Sequence, residues 1–287
     1  LLIGAPAASP EGRSYAGEIY VVYGSASGYG PRLSLSSLDG SNGFLIEGID
    51  AFDLSGNFVS SAGDVNGDGF ADLVIGGSNN SDTIYVVYGS ASGYGPKLSL
   101  STLDGTNGFM LSGIGYGDRS GHSVSSAGDV NGDGIDDLMV GAYGGDHHDG
   151  QLVRNTGETY IVFGRASGFQ PDLLLSTLDG TNGFRIDGIY QNQFTGISVS
   201  SAGDFNGDNI SDILIGTGTY DASYIVFGTS SGFSSSIDLA NLDGINGLTI
   251  HGAGGSATGG GDVNGDGYDD IVVGPVSGHN AGGAVVV

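Results

Sequence analysis

The apolar residues of this chain fall in short runs that are separated by turns rich in Gly, Asn, Asp and Ser. In one stretch the runs are HSVSSAGD (122–129), DLMVGA (137–142), TYIVFG (159–164) and GFRIDGI (183–189). Such runs, rich in Val, Ile, Tyr and Phe, are typical of β-strands. No segment shows a sustained helical period. The pattern predicts an all-β chain built from groups of four strands, which we name A to D in chain order.

Two sequence markers show that this group of strands is repeated. The motif LDGxNG and an acidic loop recur together, at spacings between 58 and 75 residues. The motif begins at Leu38, Leu103, Leu178 and Leu242, and the acidic loop begins at Asp64, Asp129, Asp204 and Asp262. Four short strands per repeat predict a β-propeller of four-stranded antiparallel blades. A β-solenoid is the alternative, but its units are usually shorter than these.

The repeats divide the chain into five blades of a single propeller region. We expect a partial blade near 1–52, complete blades near 53–117, 118–193 and 194–255, and a partial blade near 256–287; they are called blades 1 to 5 below. LLIG at the start of the chain aligns with LVIG at 73–76, so blade 1 begins on strand B, and blade 5 ends on strand C. We therefore interpret the chain as an excerpt of a larger propeller.

The acidic loop between strands A and B has the composition of a calcium site. In DVNGDGFAD (64–72), oxygen-bearing side chains stand at positions 1, 3, 5 and 9, a glycine at position 6 permits a sharp turn, and the carbonyl of position 7 can face inward. Calcium takes 6 to 8 oxygen ligands, which this set could supply together with water. The loops predict about four calcium sites, with the metal-ligand candidates Asp64, Asn66, Asp68, Phe70, Asp72, Asp129, Asn131, Asp133, Ile135, Asp137, Asp204, Asn206, Asp208, Ile210, Asp212, Asp262, Asn264, Asp266, Tyr268 and Asp270.

Other interpretations of the loop fit less well. Magnesium prefers fewer protein ligands and strict octahedral geometry, and zinc would lack its usual nitrogen or sulfur ligands. An EF-hand needs a bidentate Glu at position 12, which is Ile75 in the first loop. An ordinary hairpin turn also favours Asn-Gly and Asp-Gly, but it gives no reason for three mutually repelling carboxylates in each of four loops. Asn209 replaces the glycine of position 6 in the third loop, so we expect weaker binding there.

Composition narrows the class of partner. The chain has 287 residues, of which 7 are basic and 32 acidic, and a formal charge of −25. Such a surface repels nucleic acid and anionic membranes, so we expect neither as a partner. There is no cysteine for a disulfide or a thiolate metal site.

The sequence contains one apparent catalytic motif. GTSSG (228–232) matches the GxSxG expression of hydrolases, but its sister copies GSASG and GRASG mark it as a turn. No catalytic residues or organic cofactor are therefore predicted, and the chain is expected not to be an enzyme.

The complete motif SSAGDVNGDGFADLVIGG (60–77) resembles the FG-GAP repeat of integrin alpha-chain propellers and their bacterial relatives. IGAP at 3–6 keeps the Gly-Ala-Pro signature, whereas Ser55-Gly56, Ser120-Gly121 and Thr195-Gly196 stand in place of Phe-Gly. The resemblance implies a seven-bladed propeller with calcium in hairpin loops of its lower face. It also implies a secreted or cell-surface protein that binds a macromolecule, as in cell adhesion.

Blade geometry indicates where such a partner would bind. Successive connections alternate between faces, so A–B loops and C–D connections share the lower face, and B–C and D–A loops share the upper face. The B–C loops 5–17, 77–82 and 142–158 differ in length and content, either because they recognise a partner or because unconstrained loops drift. The expected contact residues for a protein or glycan partner are Tyr143, Tyr116, Tyr190, Arg119 and Arg154. Two alternatives are a calcium-rigidified structural spacer and an accessory domain of a secreted hydrolase.

Overall fold

The computed structural model of the chain describes residues 1–77, 82–115, 117–148, 152–220, 222–275 and 285–286. In these residues the regular structure consists of β-strands and five single turns of 3₁₀-helix, so the predicted all-β class is confirmed. The 3₁₀ turns are Pro10–Gly12, Leu35–Ser37, Leu100–Thr102, Leu175–Thr177 and Leu239–Asn241. In the same residues no helix has the length and apolar character needed to cross a membrane.

The strands form propeller blades in the predicted order. Strands A are Phe58–Gly63, Ser123–Gly128, Ser198–Gly203 and Ala257–Gly261. Strands B are Leu2–Ala5, Asp72–Gly76, Asp137–Ala142, Asp212–Gly216 and Asp270–Val273. Strands C are Glu18–Val22, Thr83–Val87, Glu158–Val162, Ala222–Val226 and Val285–Val286. Strands D are Gly43–Glu47, Gly108–Ser112, Gly183–Asp187 and Gly247–His251.

Within each blade these strands pair antiparallel with their neighbours in sequence. In blade 3, Met139 of strand B lies opposite Ser125 of strand A and Ile161 of strand C, which in turn lies opposite Phe184 of strand D. Strands A of successive blades contact one another, which places them along the centre of the propeller. The bounds of the five blades and the number of blades in a complete propeller stay predictions.

The hydrophobic core lies between the blades. In blades 2, 3 and 4, strands B and C are largely buried on both faces, so alternate residues of one strand enter two different clusters: Val74 packs toward blade 3, and Ile75 packs toward blade 1. Aromatic rings close the interfaces between blades 1 and 2, 2 and 3, and 3 and 4. Phe109 of blade 2 stacks on Phe169 of blade 3 with centroids 4.1 Å apart and planes 8° apart. Burial on both faces explains why these strands are continuous apolar runs rather than alternating ones.

The C–D connections of blades 2, 3 and 4 each contain a strand that the sequence analysis did not predict. Lys97–Ser99, Asp172–Leu174 and Ser236–Asp238 each add a parallel strand to the outer edge of the preceding blade. Leu98, for example, lies opposite Ile46 of strand D in blade 1. The strand covers an edge that would otherwise expose unpaired N–H and C=O groups, and it ties each blade to the one before it.

The hairpin formed by His147–His148 and Leu152–Val153 in the long B–C loop of blade 3 was also not predicted.

Two glycines of the repeat meet at each blade junction. Gly121, just before strand A of blade 3, has a φ of 89° and donates its N–H to the carbonyl of Gly141 within that blade. Its own carbonyl lies against Gly76 of blade 2, where a methyl group would collide with it. Gly56 lies against Gly4 in the same way. The glycines that this chain keeps from the Phe-Gly and Gly-Ala-Pro signatures are therefore needed where adjacent blades approach each other closely.

Candidate functional site

The four acidic loops begin directly after a β-bulge at the end of strand A. In the first loop the pairing register shifts between Ser61 and Gly63, and Gly63 has a φ of 77°. The bulge turns the chain sharply so that Asp64 starts the loop, which closes where Asp72 begins strand B. The same shift precedes the other three loops. All four loops thus have one backbone frame, as their shared sequence predicted.

Side chains at positions 1, 3 and 5 organise the loop by accepting its own N–H groups. In the first loop, the Asp64 carboxylate accepts the N–H of Asp68 at 3.0 Å and that of Gly69 at 2.8 Å. Asn66 Oδ1 also accepts the Asp68 N–H at 3.0 Å, and Asp68 Oδ1 accepts the N–H of Phe70 at 2.9 Å. The oxygens therefore converge on the inside of a tight turn, and each still has a free lone pair for a further donor or a cation.

The aspartate at position 9 lies beneath the loop and is buried. Asp72 accepts the N–H of Val65 at 3.0 Å and that of Gly89, at the end of strand C, at 2.7 Å. Burial raises the pKa of Asp72 to about 7; these two hydrogen bonds oppose the shift, and the charges of Asp68 and Asp64 add to it. The contact with Gly89 also confirms that strand C ends beside the A–B loop on the lower face.

The second and third loops repeat this arrangement. Asp137 accepts the N–H groups of Val130 and Gly164, each at 2.9 Å, and burial raises its pKa to about 8. Burial likewise raises the pKa of Asp212 to about 6. Asn209, at position 6 of the third loop, has a φ of 65°, so it occupies the left-handed conformation in which the first loop has Gly69. The loop keeps its shape at that position with the less favourable residue.

The donor chemistry of the loops fits a hard cation, although the side chains do not form a closed cage. In the described part of the chain, no three acidic, His or Cys side chains are gathered closely enough to hold a metal ion, because the carboxylates are turned toward backbone N–H groups. Across the same residues no basic side chain forms a salt bridge with a loop carboxylate. Each loop thus holds carboxylates at positions 1, 5 and 9, the last of them buried, and the loops of blades 3 and 5 hold a fourth at position 8. In the described residues no protein cation compensates them.

The upper face brings together some of the expected contact residues. Arg119 donates to the hydroxyl of Tyr143, and its guanidinium lies 5.2 Å from the centre of that ring. The Tyr143 ring is 4.4 Å from that of His122, which is 4.4 Å from that of Phe58 in blade 2. Burial, and then the charge of Arg119, lower the pKa of His122. Phe58 and His122 line a pocket of about 460 Å³ at the start of strands A.

The remaining expected contacts are dispersed. Tyr190 stacks on Tyr220 with centroids 5.2 Å apart, and their side chains are 52% and 41% exposed. Arg154 is exposed, and its carbonyl accepts the N–H of Asn192 at 3.0 Å. Tyr116 and parts of loops 77–82 and 142–158 lie outside the described residues.

The sequence analysis missed a second exposed pair, in which Tyr15 stacks on Phe52 with centroids 5.8 Å apart. Tyr15 lies in the B–C loop of blade 1 and Phe52 in the D–A loop that follows it. Aromatic residues in two loops of the same face were the sequence signal that could have indicated this pair.

Comparisons with known proteins agree with this architecture. The FG-GAP repeat family matches residues 55–87 and 120–162. Integrin alpha-5 of Xenopus laevis is 31% identical over 191 residues, which are 63% of this chain and 17% of the relative. Integrin alpha pat-2 of Caenorhabditis elegans is 29% identical over 235 residues, 78% of this chain and 18% of the relative.

A different kind of protein also matches. Phosphatidylinositol-glycan-specific phospholipase D of Bos taurus is 33% identical over 154 residues, 50% of this chain and 16% of the relative. The chain spans less than a fifth of the length of each of these relatives. The blade architecture and these matches show that the chain carries FG-GAP repeats and is similar in sequence to integrin alpha chains.

Proposed function

We propose that this chain is a calcium-binding module of an extracellular or cell-surface protein, and that its upper face recognises a protein or glycan. The observation that carries the calcium part is the buried aspartate at position 9. Burying an ionised carboxylate is unfavourable unless a cation or hydrogen bonds compensate it. In the first three loops the pKa of this group is raised despite two or more hydrogen bonds, so an additional positive charge would stabilise the ionised form.

The loop residues would coordinate the ion in the way that the sequence predicts. Asp64, Asn66, Asp68 and Asp72 would supply side-chain oxygens in the first loop, and Phe70 would supply its carbonyl. When bound, calcium supplies two positive charges that offset three carboxylates and fix the A–B hairpin. Asp68 Oδ1 and the Asp64 oxygens each accept backbone N–H groups of the loop, so these hydrogen bonds fix the position from which the oxygens would coordinate an ion.

Titration calorimetry on the chain, after removal of metal with a chelator, tests the calcium proposal. We expect about four sites with calcium preferred over magnesium, and loss of one site in Asp133→Ala. The matched control is Asp104→Ala, since Asp104 lies in the LDGxNG turn and accepts the N–H and hydroxyl of Thr106 without belonging to a predicted site. A stoichiometry near zero, or equal losses in the two variants, would refute calcium binding by the loops.

The proposed recognition surface rests on the exposed aromatic pairs of the upper face. Tyr190 with Tyr220 and Tyr15 with Phe52 expose rigid apolar rings on loops held by the blades. Aromatic residues and Arg are enriched among the residues that dominate binding energy. The relatives named integrin alpha favour a role in adhesion at the cell surface. Neither nucleic acid nor an anionic membrane surface is proposed as a partner, because the charge of −25 would repel both.

Cell attachment to surfaces coated with the chain tests the recognition proposal. We expect attachment in calcium that falls when Tyr190→Ser and Tyr220→Ser are combined, with calcium uptake unchanged. The control is Tyr29→Ser, because Tyr29 is 43% exposed but lies in a C–D connection of the lower face. Attachment that survives the upper-face variant and is lost in the control would show that the faces are assigned wrongly.

The match to phosphatidylinositol-glycan-specific phospholipase D favours a second candidate, a non-catalytic accessory module of a hydrolase. In that role the chain would position a separate catalytic unit rather than mediate adhesion. Incubation of the chain with a phosphatidylinositol-glycan substrate should then give no hydrolysis, whereas sedimentation with vesicles that contain the substrate should show binding. Hydrolysis by the chain itself would contradict the proposal that it is not an enzyme.

A further inference from the structure

Adjacent acidic loops are joined through the residue at position 8, which has no assigned role in metal binding. Asp136, in the loop of blade 3, accepts the backbone N–H of Asp64 in the loop of blade 2, with Oδ2 2.8 Å away. Asp136 also donates its own N–H to the Asp64 carbonyl at 3.2 Å. The first residue of one loop is thus held on both its N–H and its C=O by a single residue of the next loop.

The same contact recurs between blades 4 and 5. Asp269 Oδ2 accepts the N–H of Asp204 at 2.8 Å, and Asp269 donates to the Asp204 carbonyl at 3.2 Å. In both cases the bulge glycine of strand A, Gly63 or Gly203, lies beside the carboxylate, and a methyl group there would collide with it. The contact is therefore built by two positions of the repeat, one in each blade.

The junction between blades 3 and 4 lacks the carboxylate. Ser211 stands at position 8 and donates its N–H to the Asp129 carbonyl at 3.0 Å, so the backbone half of the contact is kept. The hydroxyl of Ser211 makes no hydrogen bond to the N–H of Asp129 in the described residues. One chain thus contains two junctions with the side-chain contact and one without it, which supplies an internal comparison.

We propose that Asp136 and Asp269 are positioning residues for the acidic loops of the preceding blades, and that they couple these loops in pairs. A carboxylate that accepts an N–H forms a strong, charge-assisted hydrogen bond, and here it fixes the backbone from which the position 1 carboxylate projects. Asp136 directly precedes Asp137, the position 9 aspartate of its own loop. A calcium ion in the loop of blade 3 would therefore hold the residue that orders the loop of blade 2.

The calcium arm of this proposal rests on the proposed function. Its test is calcium titration of Asp136→Ala and Asp136→Asn in the whole chain, with Ser211→Ala as the matched control. Loss of one charge-assisted hydrogen bond should weaken one site about tenfold. Asp136→Asn keeps an acceptor oxygen and should restore most of that affinity, whereas Ser211→Ala should bind like the unmodified chain. Equal weakening by Ala and Asn would show a charge effect and overturn the positioning role, as would an unaffected Asp136→Ala.

Amide hydrogen exchange in chelator tests the contact without metal. Exchange around Asp64 should accelerate about tenfold in Asp136→Ala and return toward the original rate in Asp136→Asn. Ser211→Asp should slow exchange around Asp129, because it supplies the missing acceptor. Failure of the chain to take up calcium would refute the proposed function only, whereas unchanged exchange in Asp136→Ala would overturn the positioning role.

Discussion

Raising the pH from 5 to 8 in the presence of a chelator should weaken the folded state. The groups responsible are the buried position 9 aspartates of blades 2, 3 and 4, with Asp137 the strongest case. An unfolded chain loses this proton near pH 3.9, whereas burial raises the pKa of Asp137 in the folded chain to about 8. Since the folded-state pKa is the higher one, the stabilising contribution is fully present below pH 4 and is lost as the pH rises toward 8.

The size of the effect follows from the fully buried Asp137. One pKa unit corresponds to about 1.4 kcal/mol. Between pH 5 and 8 the folded chain holds a proton on Asp137 that the unfolded chain has lost, so this group alone lowers the free energy of unfolding by about 4 kcal/mol. Asp72 and Asp212 act in the same direction. A typical domain has only about 5–15 kcal/mol of stability, so the metal-free chain should be markedly less stable at pH 8.

Urea unfolding at pH 5, 6, 7 and 8, in chelator and in excess calcium, measures this effect. The fall should be present in chelator and absent in calcium, which favours the ionised carboxylates. His122 works in the opposite direction, because its lowered pKa favours the neutral folded form as the pH passes about 6.5. Asp137→Asn cannot ionise and should flatten the pH dependence in chelator, whatever its absolute stability. A free energy of unfolding in chelator that is constant or rises from pH 5 to 8 would refute the reasoning.

Three further outcomes are expected. Calcium should raise the melting temperature of the chain. Asp133→Ala should lose more of that increase than Asp208→Ala, because the loop of Asp208 already carries Asn209 in place of glycine. A larger loss in Asp208→Ala than in Asp133→Ala, measured in thermal melts, would contradict the expected order of site affinities. Phe169→Ala should lower the free energy of unfolding in urea by about 3–5 kcal/mol, because it removes a stacked, buried ring between two blades. Tyr29→Ala, at the corresponding but 43% exposed position, should cost much less, and comparable losses would mean that the ring contact is unimportant.

Much of the fold could be predicted from the sequence because each blade repeats a local pattern. Strands such as Asp137–Ala142 are continuous apolar runs, and the loops before them recur at matching places. The parallel strand Lys97–Ser99 could not be recognised in the same way. It is three residues long, and its partner Leu45–Glu47 lies about 50 residues earlier in another blade. The leucines of KLSLSTLDG (97–105), which alternate before the turn, are the signal that the other repeats share.

The burial of the position 9 aspartate was also not foreseen. Sequence alone showed Asp72 as the last oxygen of a loop, since nothing in DVNGDGFAD distinguishes it from Asp64 or Asp68. Its different environment arises from Gly89, at the end of strand C, whose N–H reaches one carboxylate oxygen. Such a contact joins segments 17 residues apart and depends on how three strands pack. The composition of the loop therefore indicated a cation site, while the electrostatics of that site required the structure.

Two structural requirements, contact between blades and binding of a cation, explain different positions of the repeated motif. The glycine before the loop and the carboxylate at position 8 serve the junction between blades, as Gly63 and Asp136 do. Recurrence at those positions is no argument for metal. Among the described residues, Asn66 and Asp68, in contrast, hydrogen-bond within their own exposed loop and not across the junction between blades. Positions 3 and 5 are consequently the ones at which substitution separates calcium binding from blade packing.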